Sequence, residues 1–250
     1  MRPLPFLLLA LAAVPAGAQD LGWSGEAELQ AGLYFGAFGQ SIVSSRVSVI
    51  HADSVWEIGG EASQLWGKLQ RSDKSWDLFY RSWKVESTVD YLPFGTWSPF
   101  ALAIVESSFQ RRIDQRWNAG AGVKWAIVRS DDARFDLSAA YLAEHTDFNE
   151  NVEIGPGDED LLARWSARVR ARRTIGEGRW KLESTTLYRP EARDFGRYVV
   201  TTSNSAAFAL NDAFSVKLSF ADTYDSRARA RGARSNHEGR LMFGVEATLF

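Results

Sequence analysis

Four arginines, Arg164, Arg168, Arg170 and Arg172, fall in one alternating phase of the segment that begins at Leu161. Carboxylates fall in alternating phases elsewhere: Glu26 with Glu28, Glu57 with Glu61, Glu86 with Asp90, and Glu246 near the end. Side chains two residues apart on an extended strand share a face, so each group is a row of charge. Two kinds of electrostatic chemistry are open to such rows. They can set a transverse field across a narrow aqueous passage and select ions. They can also neutralise one another, for example Arg168 or Arg170 with Asp136, Glu144 or Glu183. Acyl hydrolysis is the competing chemistry, since it needs a serine, a histidine and an orienting acid. The three histidines are His51, His145 beside Glu144, Thr146 and Asp147, and His237 beside Ser235 and Asn236. No serine motif matches them, so no enzyme is expected.

The elements that must position these rows are strands. Trp23, Gly25, Ala27, Leu29, Ala31, Leu33 and Phe35 make one face of the first, with Ser24, Glu26, Glu28 and Gln30 on the other. A helix would place apolar residues at i, i+3, i+4 and i+7 instead. The alternation returns at Trp117 to Ile127, Phe135 to Ala143, Leu161 to Ala171, Phe214 to Phe220 and Leu241 to Leu249, and more weakly at Ser41 to His51, Ser54 to Trp66, Leu78 to Tyr91, Trp97 to Ser107, Trp180 to Tyr188 and Tyr198 to Leu210. In Trp97 to Ser107 either phase could face lipid. The fold class expected is all-β, an antiparallel transmembrane β-barrel of about twelve strands, because strands this long exceed the globular norm of about 5 or 6 residues and suit a tilted span of about 9 to 11 or more.

The connections alternate in length. Those at His51 to Ser54, Leu92 to Thr96, Ser130 to Arg134, Gly176 to Gly178 and Asn211-Asp212 are short. Those at Gly67 to Asp77, Ser108 to Asp114, Thr146 to Glu159, Arg189 to Phe195 and Ser226 to Glu238 are longer, and the first, Gly36 to Gln40, is a short exception. Short periplasmic turns and long external loops put both termini in the periplasm. Trp117 and Trp125 share a face eight residues apart, about 25 Å along a strand, which suits two interfacial girdles. A barrel of this size has little spare interior, so a lumen filled by ion pairs is preferred over an open passage.

Residues 1–18 read as a secretion signal, with Arg2 at its start, an apolar run from Phe6 to Val14, and Ala16-Gly17-Ala18 before cleavage. The barrel domain is then 19–250. Mean hydropathy is only −0.24, as expected when half of every strand is polar. The absence of cysteine excludes disulfide scaffolds and thiolate metal sites. Without Arg2 there are 28 basic against 31 acidic residues, which argues against nucleic-acid binding. One loop is acidic (Asp147, Glu150, Glu153, Asp158, Glu159, Asp160) and another basic (Arg227, Arg229, Arg231, Arg234). The first lacks the spacing of a calcium loop, so no metal or other cofactor is expected. The second suits lipid phosphate.

The run Leu210 to Phe220, then Tyr224-Asp225-Ser226 and the closing strand, resembles the carboxyl end of the YdiY-like outer-membrane proteins, also called salt-induced outer-membrane proteins. Arg116-Trp117-Asn118-Ala119-Gly120-Ala121-Gly122-Val123 is similar to that family's glycine-paired strand. The resemblance implies an outer-membrane barrel of unknown function and brings no catalytic residues. Phe250 is similar to the terminal aromatic that barrel-assembly machinery reads, although the apolar phase Leu241 to Leu249 runs one residue out of step with it. The expected partners are outer-membrane lipid and lipopolysaccharide, with the assembly machinery and periplasmic chaperones during biogenesis. The residues set no oligomeric state. The expected function is a structural barrel or a narrow, plugged passive pore, with a lipid-modifying hydrolase or a surface adhesion protein as alternatives.

Overall fold

A computed structural model describes residues 22–34, 40–70, 75–149, 161–233 and 235–250. The signal 1–18, the acidic loop positions Glu150, Glu153, Asp158, Glu159 and Asp160, and Arg234 lie outside them. Twelve strands follow in order: β1 (Gly22–Tyr34), β2 (Gln40–Ala52), β3 (Trp56–Gln70), β4 (Trp76–Tyr91), β5 (Trp97–Ser108), β6 (Ile113–Arg129), β7 (Ala133–Phe148), β8 (Leu161–Ile175), β9 (Trp180–Pro190), β10 (Tyr198–Ala209), β11 (Phe214–Asp225) and β12 (His237–Thr248). Each pairs antiparallel with its chain neighbours, and β12 pairs with β1 to close the barrel. Closure leaves no strand edge whose N–H and C=O groups would go unpaired in lipid.

Both termini lie at one end, whose turns the sequence specifies closely. In the β2–β3 turn the Asp53 carboxylate accepts the N–H groups of Val55 and Trp56, each at 2.7 Å. Those two bonds hold its carboxyl below the usual carboxylate range. Asn211 does the same in the β10–β11 turn, accepting from Ala213 and Phe214 at 2.9 Å. At the other end two expected loops shrink. β3 extends to Gln70 and β4 starts at Trp76, and β5 and β6 are joined by residues 109–112 alone. Bulges at Gly67/Lys68, Glu106/Ser108 and Ile113/Gln115 carry these strands past the points where the alternation fails.

The outward face is the apolar one, with Trp23 67%, Phe243 60% and Leu161 67% exposed. Ring pairs mark two bands on it. Trp23–His51, Trp56–Tyr91, Trp97–Trp125 and Trp180–Phe208 lie toward the termini. Tyr141–Trp165, Tyr188–Tyr198 and Tyr224–His237 lie toward the opposite end. The belt between them is what a bilayer demands of a barrel.

β5 resolves its ambiguous phase: Ser98, Phe100, Ile104 and Glu106 are buried in the lumen, while Trp97 is 56% exposed. Phe100 packs with Ala140 and Leu142, against Leu102. Gly120 and Gly122 make that possible, for they bring β7 so close that a Cβ at Gly120 would lie 2.1 Å from the Tyr141 carbonyl oxygen and one at Gly122 2.2 Å from that of Ala139. Gly120→Val should therefore block assembly. Without boiling, most of the variant should run on a gel at its unfolded position, whereas a normal heat-modifiable band would contradict the close approach.

The carboxyl end also departs from simple alternation. The last strand stops at Thr248, and beyond it two residues bond one, for Gly25 accepts the Leu249 N–H at 2.8 Å and donates its own N–H to the Phe250 carbonyl at 3.0 Å. The Phe250 ring fills the space beside Gly25, where a Cβ would come within 2.8 Å of it. The break at the strand end accounts for the out-of-step phase.

Candidate functional site

The inward face is charged from end to end, and the rows anticipated on β1, β3, β4, β8 and β12 all point into it. Their partners are chiefly lysines and arginines that do not form rows of their own. Arg46 on β2 lies 2.7 Å from Glu28, 3.4 Å from Glu61, 3.5 Å from Glu246 and 3.8 Å from Glu26. Lys217 on β11 joins Glu246 at 2.6 Å and Glu28 at 2.8 Å. Lys181 on β9 crosses the barrel to Glu26 at 2.9 Å. Lys84 holds Glu86 at 3.0 Å and Glu61 at 3.3 Å. Lys124 holds Asp90 at 2.5 Å, and Glu57 stands opposite Asp90 in register.

The carboxylate rows are therefore neutralised where they stand. The four arginines of β8 divide. Arg164 is buried and bonds Glu144 at 2.9 Å, with Glu191 at 3.6 Å. Arg168 donates to the Ser138 hydroxyl at 3.2 Å and lies over the Phe100 ring. Among the described residues, neither it nor Arg170 nor Arg172 forms an ion pair. Asp136 is taken by Arg134 at 2.6 Å and Glu183 lies 3.8 Å from Lys181, so the pairings anticipated for Arg168 and Arg170 do not occur. Charge on β8 outruns the carboxylates within reach.

Toward the end opposite the termini a second cluster fills the lumen. Arg116, 1% exposed, lies 3.3 Å from Glu106 and 3.5 Å from Glu144, and donates to Thr146 at 3.0 Å. Arg111 reaches Glu106 at 3.1 Å. Arg231 is buried against Asp225 and the Phe148 ring, so it anchors its loop and is not presented to lipid phosphate, contrary to expectation. Arg189 on β9 is also buried, and its Nε finds no hydrogen-bond partner.

Between the clusters lies a cavity of about 490 Å³. Arg168, Arg170 and Arg189 line one side, and hydroxyls of Thr201, Ser203, Ser205, Ser219 and Thr223 line the side formed by β10 and β11. Eight basic and six acidic residues border it, an excess of two positive charges. It extends at least from the level of Lys217 to that of Thr223, six residues or roughly 20 Å along β11.

The family model described as "Protein of unknown function, DUF481" matches residues 46–246. The chain belongs to this family. DUF481 is the family to which the YdiY-like resemblance points, and its model spans β3 to β11 whole together with most of β2 and β12. No curated protein matches the sequence. Two solved structures are similar to this DUF481 barrel in fold: the NanC porin, with 9% identity over 90% of this chain and 99% of that one at a TM-score of 0.53, and an outer membrane channel from Pseudomonas putida F1, with 10% identity over 94% and 99% at 0.50. The fold is thus the one that outer-membrane channels use.

The histidines of the DUF481 barrel stand outside the lumen. His51 packs on Trp23, His145 Nε2 lies 3.3 Å from Asp147, and His237 Nδ1 lies 3.2 Å from Asp222. The Ser235 hydroxyl accepts the backbone N–H of His237, not a hydrogen from its ring.

Proposed function

We propose that this protein is a narrow passive channel of the outer membrane that favours small anions. One observation carries the reading: Arg168, Arg170 and Arg189 face the lumen cavity and, among the described residues, have no ion-pair partner. Uncompensated cations in a low-dielectric channel concentrate anions there, as charged rings do in selective pores. The hydroxyl side, which adjoins the arginines around the wall, offers a passing solute hydrogen bonds without competing charge. Likeness in fold to a porin and a channel supports a conduit, and it gives no reason to expect a hydrolase. In planar bilayers under a salt gradient the refolded protein should conduct, with a reversal potential of the sign set by chloride. A cation-set potential would reject the selectivity.

A closed, structural barrel is the second reading. The cluster of Arg111, Arg116, Glu106, Glu144 and Arg164 favours it, because these side chains occupy the end opposite the termini. Absence of conductance from correctly folded protein would decide for it.

We further propose that the termini face the periplasm, since their end carries the short turns. A tag inserted between Asp194 and Gly196 should be reached by antibody on intact cells, and one at Asp131-Asp132 should not. Labelling of the second site would invert the barrel. Lipid and lipopolysaccharide then surround the belt. Phe250, closing on Gly25, is the group we assign to recognition by the assembly machinery, with periplasmic chaperones carrying the chain to it.

A further inference from the structure

Strands β9 and β10 turn an unsuitable face toward lipid. Lys181 reaches into the lumen, and Glu183, Thr185, Leu187, Thr201, Ser203 and Ser205 line the cavity, so the residues between them point outward. Two ring pairs bracket that outward stretch, Trp180–Phe208 and Tyr188–Tyr198. Between them stand Leu182, Ser184 and Thr186 on one strand and Val200, Thr202, Asn204 and Ala206 on the other. Four of these seven are polar, and they are contiguous: Asn204 pairs with Ser184 and Thr202 with Thr186. The row continues onto β11, where Asp222 pairs with Thr202 and also points outward, held by His237.

The Ser184 hydroxyl donates to the Asn204 side-chain oxygen at 2.8 Å. Among the described residues nothing accepts the two amide hydrogens of Asn204. A polar group left unpaired in hydrocarbon is costly, and lipid tails cannot pair it. Headgroups lie beyond the aromatic bands, and a soluble partner does not reach this depth. What can is another membrane protein. Copies of one chain inserted in the same direction are related by rotation about the membrane normal, and that rotation keeps every residue at its own depth. Asn204, Thr202 and Thr186 of two copies therefore meet polar groups without further adjustment. Hydroxyls and amides both donate and accept, so the patch is complementary to itself, as a two-fold contact requires.

We propose that the outward face of β9 and β10, centred on Asn204, is where a second copy of this chain docks in the membrane. The inference rests on the barrel's place in the bilayer and is independent of whether it conducts. The chain contains no cysteine, so single cysteines report cleanly. In outer membranes treated with copper phenanthroline, Asn204→Cys should give a band at twice the monomer mass. Val85→Cys, on the outward face of β4 across the barrel, should not. Equal bands, no band from Asn204→Cys, or a product with a different protein would overturn the proposal. As a second measurement free of cysteine, light scattering of the native protein in mild detergent should give a dimer, and Thr202→Val with Asn204→Leu a folded monomer. A native monomer, or a dimer that survives the double change, would overturn it equally.

Discussion

Lys124→Met should destabilise the barrel by about 3 to 5 kcal/mol, the usual consequence of removing one partner from a buried pair. Lys124 and Asp90 are 5% and 7% exposed, and the ammonium is the one ion-pair partner Asp90 has among the described residues. Removing it leaves a carboxylate in low dielectric with Glu57 as its cross-strand neighbour, a like charge that adds to the cost. The methionine fills the lysine's volume, so packing changes little. Adding Asp90→Asn should recover most of the loss, because an amide needs no counter-charge. Urea midpoints of protein folded into vesicles report both steps. A single variant as stable as the native barrel would mean that water solvates this pair and that the lumen is wetter at that end than its burial indicates.

Arg46 should behave differently, and the difference is a property of connectivity. It touches four carboxylates, but Lys217 and Lys181 also touch Glu246, Glu28 or Glu26, and Lys84 touches Glu61. No carboxylate of that group depends on Arg46 alone. Such a network spreads the loss of one member over the others, whereas Lys124 and Asp90 stand as an isolated pair.

The division between legible and illegible features follows the same physics. Strand number and direction were legible because lipid imposes a one-face apolar rule on every strand. Trp117 to Ile127 obeys it and lies within β6. The rule fails on β5, where Phe100 and Ile104 face inward into room created by Gly120 and Gly122 on the next strand, which no reading of β5 alone can reveal. It weakens on β9 and β10 for the opposite reason, since Ser184, Thr186, Thr202 and Asn204 put polarity on the lipid side. The arginine row of β8 was legible as a row. Its partners were not, because a pair such as Lys181 with Glu26 spans 155 residues and depends on how the strands stagger around the barrel. Lone basic residues such as Arg46, Lys84 and Lys217 carry no periodic signal of their own. Inward phase was the clue they did offer.

That division makes the β8 arginines separable by experiment. Arg168→Gln with Arg170→Gln should leave the urea midpoint nearly unchanged, since among the described residues neither guanidinium is in contact with a carboxylate, while it removes two positive charges from a cavity whose excess is two. The reversal potential in a salt gradient should then move from the chloride side toward zero or beyond, because what remains at the cavity is neutral overall. Arg164→Gln should do the reverse. It strands Glu144, which is 2% exposed and left with Arg116 at 3.5 Å, so folding should suffer while the selectivity of surviving protein holds. If instead the Arg168 and Arg170 double change unfolds the barrel and native protein never conducts, the arginines neutralise charge from farther off than contact distance, and the anion channel gives way to the plugged barrel.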